Sequence, residues 1–427
     1  MQFAPLMRQA SVTRLLCLLL LISAPLAGQE SGLHVVQFNG AQWFDGTSFK
    51  PHTWYSVNGV LHPDRPFTVD ETIDLSGMFV VPACGESHNH NATADNQDAI
   101  DSYLKAGIFY IENPTNLPYV RVGPRINTPD GINVIFSNGG FTAAGGHPAG
   151  LVDRNIKRGV MKPEDGEGAF YYTITTPGEL EQKWPSFLST KPDFVKTYLV
   201  YSEEFERRKD DPKYFGRRGL DPKLLPLLVA KARQSGLRIV VHVESAADFH
   251  TAVSAGVDQI AHMPGFWPSD EAIAEKSFAR YRITKADARL AARKHIAVTT
   301  TLSESLELPL NPKYKDIAPA LLDVYRWNLW LLQQSKVPLL IGSDRFRFNS
   351  QIEALELEKS GFMTPLSVLR SWCEVTPQAI FPKRKIGRIK DGYEANFLVV
   401  PANPLDSFSI MKDVRRRFKH GLEIQVQ

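Results

Sequence analysis

The chain has 427 residues, more than a single core usually serves, so one large domain with an appendage or two domains are expected. With 43% hydrophobic and 22% charged residues it is too apolar for a disordered protein, and a formal net charge of +3 gives no basis for a nucleic-acid-binding face.

Arg8 and Arg14 precede an apolar run from Leu15 to Ile22, and the following Ser23-Ala-Pro-Leu-Ala-Gly28 supplies small residues. This is the three-part layout of a secretory signal peptide, and the run is too short to span a bilayer. Residues 1–27 are therefore expected to be removed, with Ala24, Ala27 and Gly28 all admissible at the cut. The mature protein is expected to be exported, periplasmic or secreted, without further membrane attachment. Cleavage takes away Arg8, Arg14 and no acidic residue, so the charge falls from +3 to +1. It also leaves only Cys84 and Cys373, which permit one disulfide but not a disulfide scaffold. Two free, buried thiols are the expectation.

From Leu33 to Leu75, the short runs Val35–Phe38, Trp43–Gly46 and Thr53–Ser56, separated by turn residues, predict a small β unit. Beyond it, apolar strands alternate with helical segments. The candidate strands are Phe79–Cys84, Gly107–Ile111, Ile132–Phe136, Phe194–Tyr198, Arg238–Val243, Asp258–Ala261, Ile296–Thr301 and Val337–Ile341. Helices are predicted over Leu224–Gln234, behind Asp221 and Pro222, and over Ala286–Lys294, behind Thr284. Strands interleaved with helices in this way predict an α/β fold, a (β/α)8 TIM-type barrel, with its active site at the C-terminal ends of the strands. An open doubly wound sheet would want a phosphate-binding glycine turn after the first strand, and none is present. After Lys385 the β character returns in Asn396–Val400, Val414–His420 and Gly421–Ile424. Segments 28–80 and 384–427 are therefore expected to form one discontinuous domain beside a barrel over 81–383.

The strand ends carry the chemistry. His88 and His90 follow the first strand, Lys196 ends the fourth, His242 lies in the fifth, His262 follows the sixth and Asp344 follows the eighth. Side chains two apart on a strand share a face, so two imidazoles in His-x-His spacing can converge on one ion. Each residue alone has an ordinary explanation, as a satisfied core histidine, a surface lysine or a helix cap. Their recurrence at one end of five strands does not.

These pieces resemble the metal-dependent amidohydrolase superfamily, in its imidazolonepropionase-like and prolidase-like branch. The matching motifs are Asp74-Leu-Ser-Gly-Met-Phe-Val-Val-Pro82 leading into His88-Asn-His90, Gly145-Gly-His147, Asp193-Phe-Val-Lys196, Val241-His242, Ala255-Gly-Val-Asp-Gln-Ile-Ala-His262, Ile341-Gly-Ser-Asp344 and Gly387 to Leu398. The resemblance implies that the terminal segments form a small β-sandwich. It makes His88 and His90 ligands of one divalent ion and His242 and His262 ligands of a second, with Lys196 bridging both as a carbamate. Asp344 would bind the first ion and move a proton from a metal-bridged hydroxide's parent water to the leaving nitrogen. Zinc is the default metal for such a set, with manganese, iron or cobalt as alternatives. The mononuclear branch usually places a glutamate three residues after the fifth-strand histidine, where this chain has Ser245. That favours two ions, and Glu244 is expected on the other face of its strand. Departures are Ala83 and Glu86, where the family commonly has Gly and Asp, and Asn396 where it usually has Asp.

For substrate contacts the candidates are His147, Tyr201, Arg345 and Arg347. The two arginines could hold a carboxylate by a bidentate fork or pair with loop acids. The charged loop running on from Tyr198 to Arg218 reads equally as a lid or a solvated insertion. Phe266 and Trp267 could wall the pocket. The expected activity is hydrolysis of a C–N bond in a small molecule, a cyclic amide or peptide-like amide. Ester or lactone hydrolysis on the same site and non-catalytic, metal-dependent binding are the alternatives. Homo-oligomerisation is left open.

Overall fold

Phe79–Pro82, the start of the expected first barrel strand, belongs instead to an antiparallel-rich sheet built from both ends of the chain. The computed structural model describes residues 33–426, so the expected signal peptide lies outside the described residues. From His34 onward the chain folds as one compact unit. One sheet has six strands, ordered Leu422–Glu423, Arg416–Lys419, Phe397–Val400, Phe79–Pro82, Gln42–Phe44 and Phe49–Pro51. A four-stranded sheet orders Val60–His62, Trp54–Val57, Val35–Asn39 and Glu71–Asp74. The two share an apolar cluster that includes Phe38, Trp43, Leu61, Val80, Phe397 and Phe418. Phe38 meets Phe397 and Phe418 edge-on, at centroid distances of 5.0 and 5.1 Å. The N- and C-terminal segments thus bury each other's inward-facing residues, as alternation along their strands requires.

Two parallel sheets carry the rest. One orders Asn133–Phe136, Ile108–Asn113 and Cys84–Glu86. The other orders Tyr171–Thr173, Gly140–Thr142, Phe194–Tyr198, Arg238–His242, Gln259–Ala261, Ala297–Thr299 and Leu339–Leu340. Backbone hydrogen bonds link the two sheets at both ends. Ser87 N donates to Ile341 O at 3.0 Å and Asp193 N to Phe136 O at 2.8 Å. Helices Leu225–Gln234, Ala246–Ala255 and Lys285–Arg293 alternate with the strands, the last capped by Thr284 as predicted. The mixed α/β class with parallel sheets agrees with the sequence reading, while the strand Gly140–Thr142 went unforeseen.

Cys84 and Cys373 are paired as a disulfide, which corrects the expectation of two free thiols. They are 289 residues apart in sequence and both are fully buried. The bond joins the short strand Cys84–Glu86 to the helical turn Ser371–Val375. Among the described residues no helix is long and apolar enough to cross a membrane.

Candidate metal centre

His88, His90, His242, His262 and Asp344 lie at or just past the C-terminal ends of parallel strands, and Lys196 lies in the middle of Phe194–Tyr198. His88, His262 and Asp344 offer ligand atoms that all lie within 4.8 Å of one another. His90 Nε2 stands 3.4 Å from Asp344 Oδ1, while His88 Nε2 and His262 Nε2 are each 3.8 Å from the same carboxylate. The His242 ring lies 4.5 Å from the His262 ring. Lys196 is buried beneath this group, with its Nζ 5.4 Å from the Tyr198 ring centre.

The backbone bends sharply at several of these positions. Tyr201, His262, Thr301 and Asp344 all have positive φ, between 48° and 77°, in a region that side chains other than glycine seldom adopt. Such strain costs about 1–3 kcal/mol per residue and persists only where surrounding contacts fix it, commonly at functional sites. Those contacts are visible. Asp344 N donates to His88 O at 2.8 Å, and His262 Nδ1 pairs with Thr301 Oγ1 at 2.8 Å. His90 Nδ1 pairs with Thr115 O at 3.1 Å. The Phe266 ring stacks on His262 at 4.0 Å, whereas Trp267 is 44% exposed.

Burial sets the protonation states. It pushes the imidazoles of His88, His147 and His262 well below their ordinary pKa, and Lys196 adds to the effect on all three. His242 is pushed down to about 3, first by burial and then by Lys196. These rings are neutral at pH 7, the form that ligates a cation. Burial also pushes the Lys196 amine down to about 8, against the opposing pull of Asp344 and Glu112. Lys196 Nζ and His88 Nδ1 are buried and have no hydrogen-bond partner among the described residues. A buried ammonium without a partner is strongly disfavoured, so both atoms fit a set that is completed by cations.

Glu244 overturns one expectation. Its carboxylate stands 3.0 Å from His242 Nε2, inside the site rather than on the other face of the strand. Burial pushes this carboxyl up to about 8, with Arg208 acting in the opposite direction. His242 and Glu244 are two residues apart, so the spacing rule that paired His88 with His90 holds here too. Glu86 is fully buried and receives Ser343 N at 2.8 Å and Ser343 Oγ at 2.9 Å, holding the turn before Asp344. Glu112, a buried acid outside the sequence-based candidates, accepts from Gln259 Nε2 at 2.8 Å, and its second oxygen stands 3.8 Å from the Arg238 guanidinium.

The substrate candidates divide. The His147 ring stacks on His242 at 5.0 Å and lies 5.1 Å from the Tyr198 ring, so it belongs to the cluster. Tyr201 is buried, with its hydroxyl 3.2 Å from that of Tyr281 and the guanidinium groups of Arg208 and Arg280 over its ring at 4.3 and 4.4 Å. Arg345 is committed to Glu307 by two hydrogen bonds of 2.9 and 3.3 Å. Arg347 is exposed and forms no ion pair among the described residues. The charged loop is anchored: Arg280 reaches Glu203 at 2.9 Å and Glu204 at 2.8 Å, and Asp248 accepts Tyr201 N at 2.9 Å and Ser202 N at 2.6 Å.

No family model and no curated protein matches the chain. Solved structures do. A prolidase complexed with N-methylphosphonate-L-proline is similar at a TM-score of 0.68 and 15% identity, with 92% of this chain and 100% of that one covered. The A. niger ochratoxinase aligns at 0.68 and 17% identity, over 92% of this chain and 95% of its own. A molinate hydrolase aligns at 0.69 and 16%, over the same shares of 92% and 95%. The chain thus shares its fold with a prolidase, an ochratoxinase and a molinate hydrolase.

Proposed function

We propose that the chain is an exported amidohydrolase that uses two divalent metal ions, with zinc the default, to hydrolyse a C–N bond in a cyclic amide or peptide-like amide. The observation that carries this reading is the orphaned, buried Nζ of Lys196 beneath four imidazoles and a carboxylate. An ammonium cannot bind a cation, but a neutral amine that has taken up carbon dioxide becomes an anionic oxygen ligand. In this reading His88, His90 and Asp344 would hold one ion and His242 and His262 the other, and Lys196, as a carbamate, would supply an anionic ligand to both. In the same reading Cys84–Glu86, Ile108–Asn113, Asn133–Phe136, Phe194–Tyr198, Arg238–His242, Gln259–Ala261, Ala297–Thr299 and Leu339–Leu340 form one (β/α)8 barrel, with the terminal segments as a β-sandwich at its side.

When bound, such ions lower the pKa of water and polarise a carbonyl. The remaining work falls to the chain's own groups. Asp344 takes a proton from the attacking water on a carboxylate oxygen and hands it to the departing nitrogen. Phe266 covers one face of His262 and excludes water there. His147, beside His242 and Tyr198, is placed to contact the substrate, and Arg347 is the arginine left to meet a substrate carboxylate. Export is supported by the signal-like residues 1–27 and by the disulfide, since such bonds persist in oxidising compartments.

A panel of cyclic amides, dipeptides, N-acyl amino acids, lactones and esters tests the reading. C–N hydrolysis by the metal-loaded protein is expected. Turnover confined to esters or lactones would replace it with that activity, and metal-dependent binding without any turnover would replace it with a binding role.

A further inference from the structure

We propose that Glu244 is a positioning residue for His242: it accepts the Nε2–H of that ring and so leaves Nδ1 as the nitrogen with a free lone pair. The inference rests on the metal reading above and assigns a part to a side chain outside the six proposed ligands. A neutral imidazole has one N–H and one acceptor nitrogen, so whatever holds one nitrogen decides the role of the other. His242 Nε2 is held, 3.0 Å from Glu244 Oε1. Its ring is confined as well, stacked on His147 and packed against His262 and Phe266 at 4.5 and 5.7 Å.

Glu244 is itself fixed. Its N–H donates to Asp248 Oδ2 at 3.0 Å, and its carbonyl accepts Gly265 N at 2.9 Å. Asp248 accepts Ser245 N at 3.0 Å in the same way, as the N3 residue of a capping box. The buried Arg208 lies on the loop that follows the strand Phe194–Tyr198. Arg208 is held by Glu204 at 2.7 Å and by the carbonyl of Arg217 at 3.0 Å, and lies over the rings of Tyr201 and Tyr214. The long loop after the strand Phe194–Tyr198 is tied to Glu244 through Asp248, which accepts the N–H groups of Tyr201, Ser202 and Glu244. Carboxylates that orient a ligating histidine change metal affinity about 10–100-fold when removed.

The test uses the full chain loaded with zinc, titrated against a chromophoric chelator, and a 15N spectrum of the histidine-labelled protein. Glu244→Leu is expected to weaken one of the two ions about 10–100-fold and leave the other. Glu244→Gln, whose amide oxygen still accepts, is expected to keep most of that affinity and guards against a folding defect. The wild-type spectrum should show His242 protonated at Nε2. Zinc seated on Nε2, or a Leu variant that holds both ions like the wild type, would overturn the inference. If the wild type takes up fewer than two ions, the binuclear reading fails, and the protonated nitrogen of His242 alone decides the role of Glu244.

Discussion

The backbone N–H of Asp344 donates to the carbonyl of His88 at 2.8 Å, while the side chains of the two residues face each other at 3.8 Å. One contact thus ties the exit of the last strand to the exit of the first, and ends 256 residues apart share a single polar site. It also explains why Asp344 tolerates a φ of 48°, since its amide must turn toward His88 while its carboxylate turns into the cluster.

Asn adopts the left-handed region almost as readily as Asp, so Asp344→Asn should keep the fold, the amide bond to His88 and the melting temperature. It removes the proton acceptor. We expect kcat on an amide substrate to fall about 10²–10⁴-fold, against an unchanged thermal melt. A variant that keeps wild-type kcat would show that the proton moves elsewhere.

Lys196→Ala should lose metal and hydrolysis together, with partial rescue by short carboxylic acids that replace the carbamate oxygen atoms. The reaction with carbon dioxide needs the neutral amine, and the Lys196 amine is pushed down to about 8. Below that pH the amine is increasingly protonated and unreactive, so reloading of metal-stripped protein in bicarbonate should slow as pH falls from about 8.5 to about 6.5. Metal uptake that is indifferent to bicarbonate would count against the carbamate.

Replacing Cys84 and Cys373 together by alanine removes a covalent link across a loop of 289 residues. A loss of about 2–5 kcal/mol is expected in denaturant unfolding. Because the helical turn that carries Cys373 leads directly to Thr376, whose hydroxyl accepts Ile341 N at 2.9 Å, metal retention should fall as well. Equal unfolding midpoints with and without reductant would contradict this.

Asp248 accepts four backbone N–H groups, from Tyr201, Ser202, Glu244 and Ser245. In Asp248→Ala those buried donors lose their acceptor, and hydrogen bonds to charged groups contribute about 1.5–3 kcal/mol each. A loss of at least about 3 kcal/mol, with increased protease sensitivity near Tyr201, is the expected outcome of limited proteolysis and melting.

Much of this arrangement was legible because short apolar runs such as Ile239-Val-Val241 end in a single polar residue, here His242, and a buried strand offers few other places for one. The strand at Phe79 was misplaced because Pro82, which breaks the run where the chain passes from the antiparallel sheet to the parallel one, stands inside an otherwise continuous apolar stretch. Gly140–Thr142 is not legible because it has only three residues and begins in a Gly-Gly pair. Glu244 was legible and misread: its two-residue offset from His242 puts both on one face. The Cys84–Cys373 pairing was not legible, because only the fold brings these residues together.

The central claim is a two-ion centre bridged by Lys196, and metal analysis of the purified wild-type protein supplied with 13C-labelled bicarbonate tests it most directly. The account predicts about two equivalents of divalent metal per chain together with a carbamate carbon resonance that disappears in Lys196→Ala. One equivalent or none, without that resonance, would contradict it.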